Sequence, residues 1–462
     1  MPTDLDDLFT GLAHQADLIP LGPAGGAVRR GRERRRNRVA TIAAALAVGL
    51  VAAGAAGVLG RPPGHDDQPA GYGLRKVGVP VPLGGTVRDV RTVVNGNRVI
   101  TAWQTTTGDF GAVGADPRDG AVTWRIDHIA GRGSDSALTD LRAPGAAGLV
   151  SIATSDGSLM NIIDPARTPA GWSLSVGPQE QLISTGPVLV RWSATTGETD
   201  GYDWATGTKR WSMPAAADPM VRTVGMRTAG DPARDSFGDT LVQVTRSGQI
   251  KVLDAGTGQA VRTALMPAPA ADAQLTAIDG WLYNDEPATG VGYRVRATDL
   301  RSANGASTVV MNAGSGHRFG GLDVCGPNRV CVLDLHDNDN SVTAVDIATQ
   351  QTRWQTPAPA DAASISSRAE TMLVGGGRTT TLLNAAGREV FRTTDTQVDW
   401  LTDDRLLSMP ALAAGPVTTV RTTNGRATTI GRVPAHIGPC QHTSDRLICA
   451  TTTSLHFYQL PN

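Results

Sequence analysis

Apolar residues in this chain fall in short runs that alternate with polar ones and then stop at a turn. Ile250-Lys251-Val252-Leu253 runs into Asp254, with Thr257-Gly258 three residues on. Alternation with a period of two buries one face of a strand. An Asp at the end of such a run can cap a tight turn, Gly can take its left-handed position, and the next strand then begins. That next strand carries a Trp eight residues after the Asp, as in Asp116/Trp124, Asp164/Trp172, Asp203/Trp211 and Asp346/Trp354. The chain holds only 9 Trp in 462 residues, so four in one register predict a duplicated unit. Gly207 and Gly258 occupy the same place in their turns.

Weaker copies keep the register at Asp299, at Asn384 with Gly387 and Phe391, and from Val420 to Gly425. Turn anchors near 116, 164, 203, 254, 299, 346, 384 and 422 lie 38 to 51 residues apart, the period of a four-stranded propeller blade. A second element repeats with the same period: Asn97-Arg98-Val99, Asn328-Arg329-Val330, Asp404-Arg405-Leu406 and Asp445-Arg446-Leu447 each open a strand straight after a turn. The first unit is expected to hold strands at Thr86 to Val94, Val99 to Gln104, Phe110 to Ala115 and Val122 to Ile126. The run Ser454 to Leu460 is a third strand without a fourth, and Leu74 to Val81 is expected to supply it, closing the ring and removing sheet edges. The pattern predicts an all-β propeller of four-stranded blades over residues 74–462, eight-bladed within a range of seven to nine.

The repeat apolar-x-Asp-x-x-Thr-Gly-x-x-x-Trp, best kept from Asp203 to Trp211, resembles the quinoprotein-type (PQQ-like) propeller repeat. The resemblance covers 74–462. It implies the fold, and it is shared by quinone-dependent dehydrogenases and by non-enzymatic envelope scaffolds. Those enzymes typically use adjacent cysteines, a calcium-binding acidic set and a catalytic Asp, none of which can be matched here residue by residue. The expectation is a protein that is not an enzyme, with no cofactor, catalytic or metal-binding residue; a quinone-dependent dehydrogenase is the remote alternative.

Residues Val39 to Gly60 are 22 positions without a charge, about 33 Å of helix at ~1.5 Å per residue, enough to span a bilayer. Seven arginines between Arg29 and Arg38 precede them, and only Arg61 follows before a Pro/Gly linker at 61–73. This charge bias predicts a cytosolic tail (1–38), one transmembrane helix (39–60) and an extracytoplasmic propeller. Thirteen of the 22 residues are Ala or Gly, and Ala53-Gly54-Ala55 resembles a cleavage site. The long preceding region favours a retained anchor over a cleaved signal.

The four cysteines agree with export. Cys325/Cys331 and Cys440/Cys449 each flank a turn, so each pair is expected to staple the first two strands of a blade, contributing ~2–3 kcal/mol by the loop-entropy model. A four-Cys zinc site is disfavoured, because the short Cys-x-x-Cys spacing is missing and the pairs lie about two blades apart. After Arg61 the chain carries 34 basic and 38 acidic residues, which gives no basic footprint for nucleic acid. The use of 39 Arg against 3 Lys reads as GC-rich, actinobacterial-type coding bias.

Asp334-Leu335-His336-Asp337-Asn338-Asp339-Asn340 is the most metal-like string. As a calcium loop it lacks the required Gly, and Ala348 stands where the closing Glu belongs. It reads instead as a polar hairpin loop between second and third strands. Asp334, His336, Asp337 and Asp339, with His128 and Arg132 in the segment His128 to Ser136, are the candidate binding loops, facing an unidentified protein partner. In the tail, Leu5, Leu8, Phe9, Leu12, Ala16 and Ile19 share one helical face behind Thr3 and three aspartates, and Pro20 ends the run. That face suits a cytosolic protein partner at residues 3–19 or is a frayed topogenic segment. The layout resembles membrane proteins found beside extracytoplasmic-function sigma factors, with no sigma-binding residue to carry over. The reading is a membrane-anchored binding or sensor protein; the alternative is an envelope-assembly scaffold similar to the propeller lipoproteins of outer-membrane assembly, though no lipobox Cys is present.

Overall fold

The computed structural model describes residues 73–461 apart from 130–135, 144–147, 155–156, 164–170, 230–237, 289–291, 303–304 and 338. The predicted tail, the segment 39–60, Asp164 and Arg132 therefore lie outside the described residues. Every regular element among those described is a strand, and no helix there is long and apolar enough to cross a membrane.

The described residues form 36 strands, which fall in chain order into groups of four, each an antiparallel meander. The first group comprises Val87–Asn95, Arg98–Thr105, Phe110–Ala115 and Val122–Ile129, within a few residues of the expected bounds. The Asn/Asp-Arg-apolar elements open strands at Arg98, Arg329, Arg405 and Arg446 as predicted. Arg75–Pro82 pairs antiparallel with Ser454–Gln459, so the last group takes its fourth strand from the start of the domain. At five of the junctions the first strands of successive groups contact one another, as Glu180–Ser184 does Met220–Arg227, and Gln441–His442 reaches Val87–Asn95 across the seam. This order, with its closure, is that of a β-propeller.

Nine hydrophobic clusters lie between the groups, one at each junction. One joins Leu149 and Ile162 to Leu189 and Tyr202, the next joins Ile183 and Val190 to Leu241 and Leu253, and so on around to Val90 and Trp103 against Ile448 and Phe457. Nine groups in an open row would have only eight junctions, so the ninth cluster is a second mark of closure, independent of the strand pairing. The sequence favours eight units, and the described residues divide into nine groups. Two of them, 220–265 and 275–312, are joined by a short parallel pairing (Met226 with Ala277, Arg227 with Ile278), which leaves eight hydrogen-bonded sheets.

The Asp/Trp register has a physical origin at these junctions. Asp203 Oδ1 accepts the amides of Ala205 (3.0 Å) and Thr206 (2.9 Å), and Asp254 and Asp346 fasten their turns alike. Gly207 and Gly258 return a hydrogen bond to the carbonyl of their Asp at left-handed φ of 69° and 70°. The Trp then reaches into the neighbouring group. Trp172, Trp211 and Trp354 donate from Nε1 to the carbonyls of Trp204 (2.9 Å), Ala255 (2.9 Å) and Ala385 (3.0 Å), each the residue after the next turn's Asp or Asn. Their rings lie on that turn's glycine. A β-carbon on Gly258 would sit 2.7 Å from Trp211, and Gly207 and Gly387 have still less room under Trp172 and Trp354. Within their own sheets three of these tryptophans face a small residue, Gly114 opposite Trp124, Gly201 opposite Trp211 and Ala344 opposite Trp354, whereas Trp172 faces Ile162.

The exceptions follow the same rule. Arg262, eight residues after Asp254, stands in the Trp register and donates from Nη1 to the Leu300 carbonyl at 2.5 Å. The fourth strand Ser307–Asn312 carries no aromatic residue, and the turn after it places Gln350 at the left-handed position (φ 60°) where glycine stands elsewhere. With no ring above, a side chain is accommodated there.

Both expected disulfides are formed, Cys325–Cys331 and Cys440–Cys449, each bridging the first two strand positions of its group.

Opposite signs are expected for two glycine-site changes, read from urea midpoints. Gly258→Ala should destabilise by about 2 kcal/mol or more, since it adds left-handed strain of ~1–2 kcal/mol to a clash with Trp211. Gln350→Gly should stabilise by about 0.5–1 kcal/mol by releasing that strain against the entropy of a glycine.

Candidate functional site

The metal-like string forms the expected hairpin between second and third strands, Arg329–Leu335 and Ser341–Asp346. Its acidic residues do not act together. Asp334 lies inside the strand and is buried, with Oδ1 accepting the Tyr293 hydroxyl (3.1 Å) and Oδ2 2.6 Å from His317 Nδ1. Burial, reinforced by the Asp334 charge and hydrogen bond, pushes the Tyr293 phenol well above its usual range. The His317 ring stacks on His336 with centroids 4.2 Å apart and planes at 4°. Nearly parallel stacked imidazoles cannot aim their in-plane lone pairs at one ion, and among the described residues no group of three or more His, Cys, Asp or Glu is arranged to hold a metal.

Asn340 pins the loop. Its Nδ2 donates to the Pro359 and Ala360 carbonyls, both at 3.0 Å, and its Oδ1 accepts the His336 amide at 3.1 Å. Asp337, at φ 44°, and Asp339, whose amide donates to the His336 carbonyl (2.7 Å), are left exposed at the tip. The structure thus brings together Asp334 and His336 and adds Tyr293 and His317, which sequence reasoning missed. Tyr293 belongs to the preceding group and His317 to a connection, so no local spacing links them to Asp334. His128 is exposed at the end of the strand Val122–Ile129, far along the chain from this cluster.

Strand direction sorts the loops into two ends. Hairpin 336–340 and the connection holding His317 lie at one end of the strands. Turns from first to second and from third to fourth strands lie at the other. At that second end a cavity of about 360 Å³ opens between the groups 275–312, 318–357 and 362–394. Tyr283, Ser367 and Ile347 are buried in its lining, while Asp279, Arg301 and Glu370 are exposed at its mouth. A larger cavity, about 680 Å³, runs along the first strands Ala362–Arg368 and Thr396–Thr402 and reaches Gln441 and His442. There Gln397 donates to the Cys440 carbonyl (2.7 Å) and to Asp399 (2.5 Å).

Two buried carboxylates are structural. Burial alone would raise the Asp200 carboxyl, but hydrogen bonds from Ser212, Lys209, Arg191 and Tyr202 outweigh it and hold the group below the usual range. Glu286 behaves likewise: burial is outweighed by Arg296 (2.6 Å), Asn284 and Arg294 (2.7 Å). On the surface, the Arg353 guanidinium and the Thr349 amide hold Asp346 at about 2.

No family model matches the chain. No curated protein matches it. Among solved structures it is similar to BamB from Moraxella catarrhalis, with a TM-score of 0.41 and 15% identity over 71% of this chain and 98% of that one. It is also similar to the computationally designed Ika8 protein (0.40, 13%, 84% and 100%) and to the Dos1 propeller (0.41, 10%, 68% and 89%). At these scores the likenesses place no function on this chain, and its fold stands on its own strand order and closure.

Because the folded-state pKa values of Asp200, Glu286 and Asp346 are depressed, the stability they contribute is present above the unfolded carboxylate value of about 4 and is lost as pH falls through the folded values. Glu286→Gln should therefore lower the urea midpoint at pH 7, and the gap to the parent protein should narrow as the pH falls below about 4. A gap independent of pH would show that Glu286 acts through packing alone.

Proposed function

We propose that this chain is a single-pass membrane protein, anchored by residues 39–60 with its N-terminus in the cytosol, whose propeller of nine blades binds a protein ligand outside the cytosol. The observation that carries the binding reading is the hairpin 336–340. Asn340 ties it by two hydrogen bonds to the connection leading to the next group and closes it on itself by a third, from the His336 amide, while Asp337 and Asp339 stand exposed at its tip. A preorganised polar loop loses little entropy when a partner docks. Its buried Asp334 is engaged by Tyr293 and His317, so the cluster supports the loop instead of presenting a free nucleophile or base.

Two features support the location. The uncharged segment 39–60 follows seven arginines, and two disulfides suit an oxidising compartment. Residues 3–19, with their apolar helical stripe, would carry the signal to a cytosolic partner, which makes the protein a sensor.

In-cell crosslinking with mass spectrometry tests both parts, comparing full-length protein with a version whose residues 1–38 are replaced by a neutral orienting segment, and with Asp337→Ala/Asp339→Ala. A cytosolic regulator captured only by the full-length chain is the expected result, together with an extracytoplasmic protein lost from the double variant. Identical captures by all three proteins would sink the loop-face reading and the sensing role together.

A further inference from the structure

The cavity at the end of the strands remote from hairpin 336–340 holds one of the eleven buried side-chain polar atoms that find no hydrogen-bond partner among the described residues. Tyr283 is fully buried in the strand Trp281–Pro287, lines this cavity, and its hydroxyl has no hydrogen-bond partner. A buried polar group left in this state costs free energy, and native structures seldom keep one without a use. Its neighbours are satisfied. Ser367 donates from Oγ to the Val324 carbonyl and from its amide to Asp323 (2.9 Å), and Arg368 is paired with Asp403 (2.6 Å). Trp281, Val324 and Ile347 supply apolar wall beside that unpartnered hydroxyl, which is itself covered, so a shift of the ring or of a wall residue is needed for a ligand atom to reach it.

The rim is preformed. The turn Gly326-Pro327-Asn328 is enclosed by the Cys325–Cys331 disulfide, and Arg329 ties it again through the Cys325 carbonyl (2.6 Å). Seven non-glycine residues among those described have positive φ, and four of them line this cavity: Asp279 (48°), Asn328 (53°), Ala369 (45°) and Glu370 (64°). Ala369-Glu370 forms a two-residue hairpin turn between the paired Arg368 and Thr371. Such a turn favours Asn-Gly, so keeping Ala-Glu holds strain at this rim.

Charge decides what the cavity can take. Arg301 lies over Trp281 at 4.9 Å and is paired with Asp299 (2.9 Å), as Arg368 is with Asp403, so neither guanidinium is free to receive an anion. The carboxylates of Asp279 and Asp323 act on Tyr283 and disfavour an anion further, while Arg301 acts in the opposite sense and opposes a cation. Burial and those acids push the phenol above its usual range, so it stays protonated and is a donor. The group that completes it is a neutral acceptor attached to an apolar body. A volume of about 360 Å³ falls at the small end of ligand clefts, ~300–1,000 Å³.

We infer that this cavity is a second binding site, one that takes an uncharged peptide segment of a protein partner, with an apolar side chain against Trp281, Val324 and Ile347 and a backbone carbonyl accepting the Tyr283 hydroxyl. The site stands on the opposite end of the propeller from the loop face, and its test is independent of what that face captures.

Three probes share one leucine body: N-acetyl-leucine methylamide (neutral), N-acetyl-leucine (anionic) and leucine methylamide (cationic). Each is titrated into full-length protein labelled with ¹⁵N at tryptophan, and the Trp281 indole signal, assigned through Trp281→Phe, is followed. The neutral probe is expected to move that signal saturably, with the charged probes at least about tenfold weaker. Tyr283→Phe should weaken the neutral probe about fivefold, the loss of one hydrogen bond. The same variant removes an unpartnered buried hydroxyl and keeps every apolar contact, so its urea midpoint should equal or exceed that of the parent. Equal or tighter binding of a charged probe, unchanged affinity in Tyr283→Phe, a lowered midpoint, or no movement of the Trp281 signal with any probe would each overturn the assignment.

Discussion

A tryptophan lying on its neighbour's glycine is the contact on which this ring is built. The indole of Trp211 covers Gly258 and donates to the Ala255 carbonyl, so packing and a directional hydrogen bond fix one blade against the next at the same point. The glycine serves two demands at once, a left-handed turn and a ring at van der Waals distance, and no other residue meets both. Because the turn is itself held by its Asp, the carbonyl is presented at a set height and the indole finds it. Blade angle is thereby decided locally, junction by junction, before any long-range closure is made.

Junctions without the Trp show which half of the contact can be exchanged. Arg262 keeps the hydrogen bond to the Leu300 carbonyl without the indole. After the strand Ser307–Asn312 the ring is absent altogether, and there Gln350 replaces glycine. Adhesion at that junction rests on the apolar cluster of Tyr283, Tyr293, Val295 and Val310 with Val330 and Val345. The same junction carries both Tyr283 and Tyr293, which lead to opposite ends of the strands and to the two candidate sites. Variation in the repeat and concentration of candidate chemistry coincide at this one place.

Much of the fold was legible because the signal was local. Asp, Gly and Trp of one unit lie within nine residues, and their spacing survives without knowledge of what the Trp touches. The seam between Arg75–Pro82 and Ser454–Gln459 was readable too, since an incomplete last unit demands a strand from elsewhere. Unit number was harder: the parallel join of the groups 220–265 and 275–312 at Met226 and Ala277 has no sequence mark. The sites were least legible. Asp334 and His336 drew notice as an acidic string, yet the structure uses Asp334 internally, beside His317 and Tyr293, 17 and 41 residues away. Tyr283 gave no sign at all, because a missing partner beside a cavity is a fact of three-dimensional packing, and sequence records only what is present.

The seam bears on how the chain reaches its folded state. Arg75 meets Gln459 across a sequence separation of 384 residues, whereas every other strand pairing in the ring joins near neighbours. Closing so long a loop is the slowest entropic step available to the chain, and nothing local can hasten it. Blades can therefore form one after another as hairpins while the strand Arg75–Pro82, synthesised before them all, waits unpaired for Ser454–Gln459. Its two prolines, Pro80 and Pro82, and the irregular register between Val77 and Val81 make that waiting strand a poor template for another chain, which guards against aggregation during the interval.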